Sequence, residues 1–159
     1  MRRPDSFSRS RRLVLVAGAG MASGVVHVRP ANAAELPADL LAAVQAFAQG
    51  AAVREGRVVL DIAQLVDNGN AVPVRVAMEA GLPAATAVRA MALFNERNPQ
   101  REVVAAQFGP LSGQPEFSTR IRLATSQKLV AVARLQDGSC WSRTVDVVVT
   151  LAACIEAES

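Results

Sequence analysis

The chain has 159 residues, a formal net charge of +3, one histidine and two cysteines, and half of its residues are apolar. That is enough for one domain plus a removable leader. The lone histidine, His27, excludes catalysis by a histidine dyad or triad and any multi-histidine metal site once the leader is gone.

Residues 1–33 have the form of an export signal. Arg2, Arg3, Arg9, Arg11 and Arg12 precede an apolar run of small residues from Leu13 to Val28, and Ala31-Asn32-Ala33 supplies a cleavage site before Ala34. Ser10-Arg11-Arg12-Leu13-Val14-Leu15 matches a twin-arginine export motif, a route that carries folded proteins. An ordinary secretory signal or an uncleaved anchor is the alternative. Against an anchor, the apolar run falls short of the ~20 residues of a membrane span and is broken by Gly18, Gly20 and Gly24. Those glycines also mimic a dinucleotide loop, but their spacing is wrong and no βαβ unit follows.

Six of the 17 Lys and Arg and one of the 14 Asp and Glu precede Ala34, so the remainder holds 11 basic and 13 acidic residues, a net charge of −2. The basic balance therefore belongs to the leader and gives no argument for nucleic acid binding. The expected localisation is the periplasm, with no stable membrane insertion after cleavage.

The mature domain, residues 34–153, starts with Leu40, Leu41, Val44 and Phe47 at helical spacing, which predicts one short helix over about 36–52. From about 57 to 151 the period becomes two. Val58–Ile62 is a candidate strand, and Asp67-Asn68-Gly69-Asn70 is a turn of the kind hairpins favour. Its carboxylate and amides could ligate calcium, but no acidic ligand follows at loop spacing. Strands are expected over Val72–Met78, with Pro73 suggesting an edge position, then Ala87–Phe94, Glu102–Phe108, Glu116–Ala124, Gln127–Leu135 and Trp141–Leu151. Within Glu116–Ala124, Phe117, Thr119, Ile121 and Leu123 alternate with Ser118, Arg120 and Arg122. In the last strand Val145, Val147, Val149 and Leu151 are expected to face inward. Arg120, Arg122 and Arg134 could form an anion-binding face, although solvated strand positions explain them as well. Seven short strands behind one helix predict a mainly β protein, an immunoglobulin-like antiparallel β-sandwich, with Phe94, Phe108, Phe117 and Trp141 as its larger core members.

Two cysteines in an exported chain invite a disulfide. A strand over 141–151 would place Cys140 and Cys154 at opposite ends of the sandwich, and only a tail folded back along the sheet could join them. Cys140 reads as a partly buried structural thiol. Cys154 is left unpaired on a short arm, residues 152–159, which suggests covalent or intermolecular chemistry.

Several stretches together resemble SoxY, the sulfur-carrier subunit of the bacterial periplasmic thiosulfate-oxidising system. They are Asp67-Asn-Gly-Asn-Ala-Val-Pro-Val74, Phe94-Asn-Glu-Arg-Asn-Pro99, Ser118-Thr-Arg-Ile-Arg-Leu-Ala124, Asp137-Gly-Ser139 with Trp141, and the terminal Val-Thr-Leu-Ala-Ala-Cys154. The resemblance implies a heterodimer with a SoxZ-like subunit and sulfur intermediates attached covalently to Cys154. It also implies that partner redox enzymes or cytochromes do the chemistry, with no cofactor and no catalytic residue in this chain.

The arm departs from the family's Gly-Gly-Cys-Gly-Gly. It reads Ala152-Ala153-Cys154-Ile155-Glu156, similar to the SoxY-related AACIE arm proteins. Ala152, Ala153 and Ile155 restrict the backbone where glycines leave it free. Glu156, Glu158 and the terminal carboxylate disfavour a nearby thiolate and repel anionic cargo. The competing reading is a non-catalytic adaptor domain that docks on an exported dehydrogenase or cytochrome, with Cys154 incidental. A thiol–disulfide oxidoreductase lacks its C-x-x-C pair here.

Overall fold

The computed structural model describes residues 36–81 and 87–151. The export signal of residues 1–33 and the arm of residues 152–159 lie outside these.

Among the described residues one helix, α1 (Ala38–Phe47), precedes nine strands. Pro37 sets the entry to the helix, and Asp39 in its first turn complements the positive end of the helix dipole. The helix ends five residues before the predicted 52 because Gln49 and Gly50 both take positive φ, 55° and 79°. That left-handed geometry closes a helix, and Gly50 donates from its N–H back to the Gln45 carbonyl at 3.1 Å.

The strands are β1 (Val53–Glu55), β2 (Val58–Asp61), β3 (Leu65–Val66), β4 (Val72–Met78), β5 (Val88–Asn95), β6 (Glu102–Gln107), β7 (Glu116–Ile121), β8 (Gln127–Leu135) and β9 (Cys140–Val149). They form two sheets, one in the order β1-β9-β8-β5-β6 with β3 also on β9, the other β2-β4-β7. The long ladders are antiparallel, as expected for the sandwich. The two strands that were not anticipated, β1 and β3, are three and two residues long. Both pair in parallel with β9, so nothing in their own short sequences marks them as strands.

The core between the sheets draws on both: Val58, Val74 and Val76 from the small sheet meet Met91, Leu93, Leu129 and Val147 from the large one. Strands β5 and β8 are buried along nearly their whole length rather than at alternate positions. The outward side chains Ala92, Phe94, Val130 and Val132 are covered by Leu40 and Val44 of α1. A strand covered on both faces reads as a continuous apolar run, which is what residues 90–94 show. Phe94 is fully buried there and meets Phe47 edge-to-face, with ring centroids 5.8 Å apart. Phe108, Phe117 and Trp141 are only partly buried, packed against the margin of the core. In β7 the expected faces hold: Ile121 and the following Leu123 are buried, while Ser118, Arg120 and Arg122 are exposed.

Four expectations are corrected. Pro73 lies on β4, the middle strand of its sheet, but β2 pairs only with Arg75–Met78, so Pro73 sits beyond the end of β2 with a neighbour on one side. The Asp67–Asn70 turn does not close a hairpin. It carries the chain from β3 in one sheet to β4 in the other. Arg134 does not join Arg120 and Arg122, because β8 and β7 belong to different sheets; its guanidinium lies 5.8 Å from the Phe47 ring. Leu151 does not face inward but stands 69% exposed past the end of β9.

Candidate functional site

The residues proposed for the site, Cys154 with Ala152, Ala153, Ile155 and Glu156, lie outside the described residues. The structure does define the root from which they depart. Residues 150 and 151 follow β9 and are held by backbone hydrogen bonds to the 66–69 turn. Thr150 N–H donates to the Val66 carbonyl at 3.0 Å, and Gly69 N–H donates to the Leu151 carbonyl at 2.8 Å. The Thr150 hydroxyl adds a bond to the Asp67 carbonyl at 3.0 Å. The turn itself is stiffened by Asn68, whose Oδ1 accepts from the Asn70 backbone N–H and side-chain amide, each at 2.9 Å. These amides serve the turn, so the geometry supplies a structural use for the groups that could have suggested calcium.

A second loop braces the first. Gly69 accepts at its carbonyl from Leu123 N–H at 2.8 Å. The segment around Leu123 is in turn gripped by Asn98, whose Nδ2 donates to the Arg122 carbonyl at 2.8 Å and whose Oδ1 accepts from Ala124 N–H at 3.1 Å. Buried Gln127 donates to the same Asn98 Oδ1 at 2.8 Å and accepts from Arg97 N–H at 2.8 Å. Asn95, also buried, accepts from Asn98 N–H at 2.9 Å and donates to the Gln100 carbonyl at 2.8 Å. The motifs Phe94–Pro99, Ser118–Ala124 and Asp67–Val74 thus meet at one end of the sandwich, and their joint product is a fixed exit for the chain at Leu151. The bracing role of Asn98 and Gln127 was not legible in the sequence. Two amides about thirty positions apart carry no periodic signal, and only the run Asn95-Glu-Arg-Asn98 hinted at a structured loop.

Away from the root, Arg101 ties this loop to the helix through two bonds to Asp39 Oδ2, at 2.8 and 2.5 Å. The Arg101 guanidinium holds the Asp39 carboxyl below its ordinary value. The β8–β9 turn, at the other end, is an Asp137-Gly138-Ser139 loop. Gly138 takes φ 83°, a conformation that favours glycine, and Asp137 accepts from Ser139 N–H and hydroxyl at 2.9 and 2.7 Å. Those two bonds lower the Asp137 carboxyl.

Cys140 follows that turn. It is fully buried, not partly as expected, and its sulfur has only two distant carbonyls, Ala48 and Gly138, at 3.9 Å. Burial raises its thiol above the ordinary value. A buried thiol kept protonated is a packing group, not a nucleophile. The ladder also closes the question of a disulfide. Cys140 and Val149 stand at the two ends of β9, about 30 Å apart at ~3.3 Å per residue. Five residues lead from Val149 to Cys154 and span at most about 18 Å. Even a tail folded straight back falls short by about 12 Å, where a disulfide needs Cα atoms within ~7 Å.

A concavity of about 570 Å³ opens at the end opposite the root, between Met78, Val88, Phe108 and Pro115. No thiol lines it; of its three charged residues Arg75 and Glu116 are spent on each other, and Glu79 is the third. Among the described residues no cluster of three or more His, Cys, Asp or Glu side chains is placed to hold a metal ion.

A two-sheet sandwich that holds the end of its last strand against the 66–69 turn is the frame from which the residues beyond Leu151 depart. The family model of sulfur oxidation protein SoxY matches residues 44–154. The chain belongs to the SoxY family.

A comparison with curated proteins gave no significant match. Among solved structures the chain is similar to a superoxide reductase (neelaredoxin) from Ignicoccus hospitalis, at 19% identity and a TM-score of 0.51, covering 59% of this chain and 80% of that one. A variant of the Archaeoglobus fulgidus superoxide reductase in its reduced form scores 0.47 at 17% identity, over 60% of this chain and 91% of that one. At these identities the likeness concerns the sandwich fold alone.

Proposed function

We propose that this protein is a periplasmic carrier that holds sulfur intermediates covalently on Cys154 and presents them to partner enzymes, as one subunit of a SoxYZ-like heterodimer. The observation that carries the reading is the extent of the family match, which runs to residue 154 and so takes in the terminal cysteine. The inertness of Cys140 leaves Cys154 as the one thiol with a chemical role to fill. Export by the twin-arginine route, with residues 1–33 removed, belongs to the same proposal, because a heterodimer assembled before export must cross the membrane folded.

The chemistry asked of this chain is modest. A thiolate at Cys154 joins the sulfur of a second sulfur anion. One S–S bond forms and two electrons leave, so loading requires an electron acceptor, the role proposed for a partner redox enzyme or cytochrome. The chain contributes the thiolate and the reach of its arm. Glu156 and Glu158 put negative charge along the arm that a glycine arm lacks, so the partner has to offset that charge or exclude water when it takes the arm in.

Intact mass of the protein purified from its own periplasm tests this. The expected result is a set of heavier species that collapse to the polypeptide mass on mild reduction and that are missing in Cys154→Ser. A single unmodified mass for the native protein, isolated while the host oxidises reduced sulfur compounds, would contradict the carrier reading.

A further inference from the structure

Six large apolar side chains are exposed among the described residues, and three of them gather at the root of the arm. Leu65 on β3 and Val148 on β9 are register partners, 64% and 52% exposed, with Leu151 three residues further on at 69%. Side chains at register positions of neighbouring parallel strands share a face. Val147 is buried and Val66 is buried, so Leu65 and Val148 point away from the core. Neither earns its place by stabilising the sandwich. β3 is attached through its backbone, with Val148 N–H donating to the Gln64 carbonyl at 2.7 Å and Thr150 N–H to that of Val66, and a threonine or lysine would pair there equally well. The other three exposed apolar residues, Leu41, Val59 and Leu111, lie singly on the helix, β2 and a loop.

We infer that Leu65, Val148 and Leu151 form the docking surface for the enzyme that acts on Cys154, an enzyme whose active-site entrance has an apolar rim. The inference rests on the carrier reading above. Its argument is chain length. Cys154 is three residues on from Leu151, a reach of at most about 11 Å. An enzyme that attacks the Cys154 sulfur must bring its own reacting atoms within roughly that distance of Leu151, plus a side chain. No enzyme surface can do so without covering the ground around the root, so whatever lies there is the contact. An apolar centre with polar margins, here the Lys128–Asp146 ion pair at 2.7 Å on one side and exposed Asp67 on the other, is the make-up of a transient interface.

The test uses the full-length protein in its own host, carrying Leu65→Glu and Val148→Glu. Three quantities are read: the fraction bearing a Cys154 adduct by intact mass, the rate at which iodoacetamide alkylates Cys154 after reduction, and co-purification of the partner subunit. The expected result is a fall of about tenfold or more in the adduct fraction, with alkylation and the partner subunit unchanged, since loss of an interface anchor typically costs at least that factor. If the doubly charged variant does not accumulate folded, Leu65→Thr with Val148→Thr is read in the same way. An unchanged adduct fraction would overturn the docking surface and leave the carrier reading standing. A changed alkylation rate would overturn it by showing that the arm itself rests on the patch. Loss of the partner subunit would overturn it by assigning the patch to the heterodimer. A wild-type chain with no adduct at all would sink the carrier reading and this inference together.

Discussion

A host whose only copy of this protein carries Cys154→Ser should oxidise reduced sulfur compounds no better than a host lacking the gene. The change replaces one sulfur atom by oxygen, so it leaves the size of the side chain nearly unaltered. The variant should therefore be exported, bind its partner subunit and melt with the wild type. What it loses is chemical. A serine hydroxyl is not ionised at neutral pH and cannot form an S–S bond, and no second thiol stands in for it. Cys140 is sealed in the core with its thiol pushed up by burial, and about 12 Å of missing chain separates it from any position Cys154 can reach. The effect should thus be all or none. A Cys154→Ser host that keeps full oxidation would reduce the terminal cysteine to an incidental residue and restore the adaptor reading.

Phe94→Ala should be the most damaging substitution in the fold itself, lowering stability by about 3–5 kcal/mol. Phe94 is fully buried, packs edge-to-face on Phe47, and fills the space between α1 and the outer face of β5 and β8. It also begins the Phe94–Pro99 loop that braces the arm root. Thermal melting of the mature protein should shift down by roughly 10–20 °C. The cavity left between helix and sheet cannot be filled by Ala92 or Val44, which are smaller and held by the backbone around them. A shift of only a degree or two would mean that the helix is not seated on the sheet as described.

The architecture was legible because its signals are local. Alternation in Glu116–Leu123 assigned a strand and both its faces from eight residues. The turn residues Asp67–Asn70 and Asp137–Ser139 marked breaks that the structure keeps. What failed was set by distant partners. The strands β1 and β3 exist only because β9 offers them an edge, and a two-residue strand such as Leu65–Val66 has no period to read. Pro73 was assigned to an edge strand by a rule that concerns a missing N–H, but the rule applies to one position, and β2 stops short of it. Leu151 continued the alternation of Val145, Val147 and Val149 on paper. The strand ends at Val149, and the bond from Gly69 turns the chain out to solvent, so the side chain is exposed. The same holds for the site. Cys154 stood out as a cysteine beyond the last strand, whereas the exit at Leu151 depends on Asn98 and Gln127, whose partners lie in two separate loops.

The most direct test of a sandwich that offers one sulfur and hides the other is alkylation with residue-level mapping. The mature protein, gently reduced to free any bound group, is treated with iodoacetamide in its folded state and again in denaturant. Modification of Cys154 within minutes in the folded protein, with Cys140 modified only after unfolding, is the predicted result. A folded protein in which Cys154 reacts as slowly as Cys140 would contradict it.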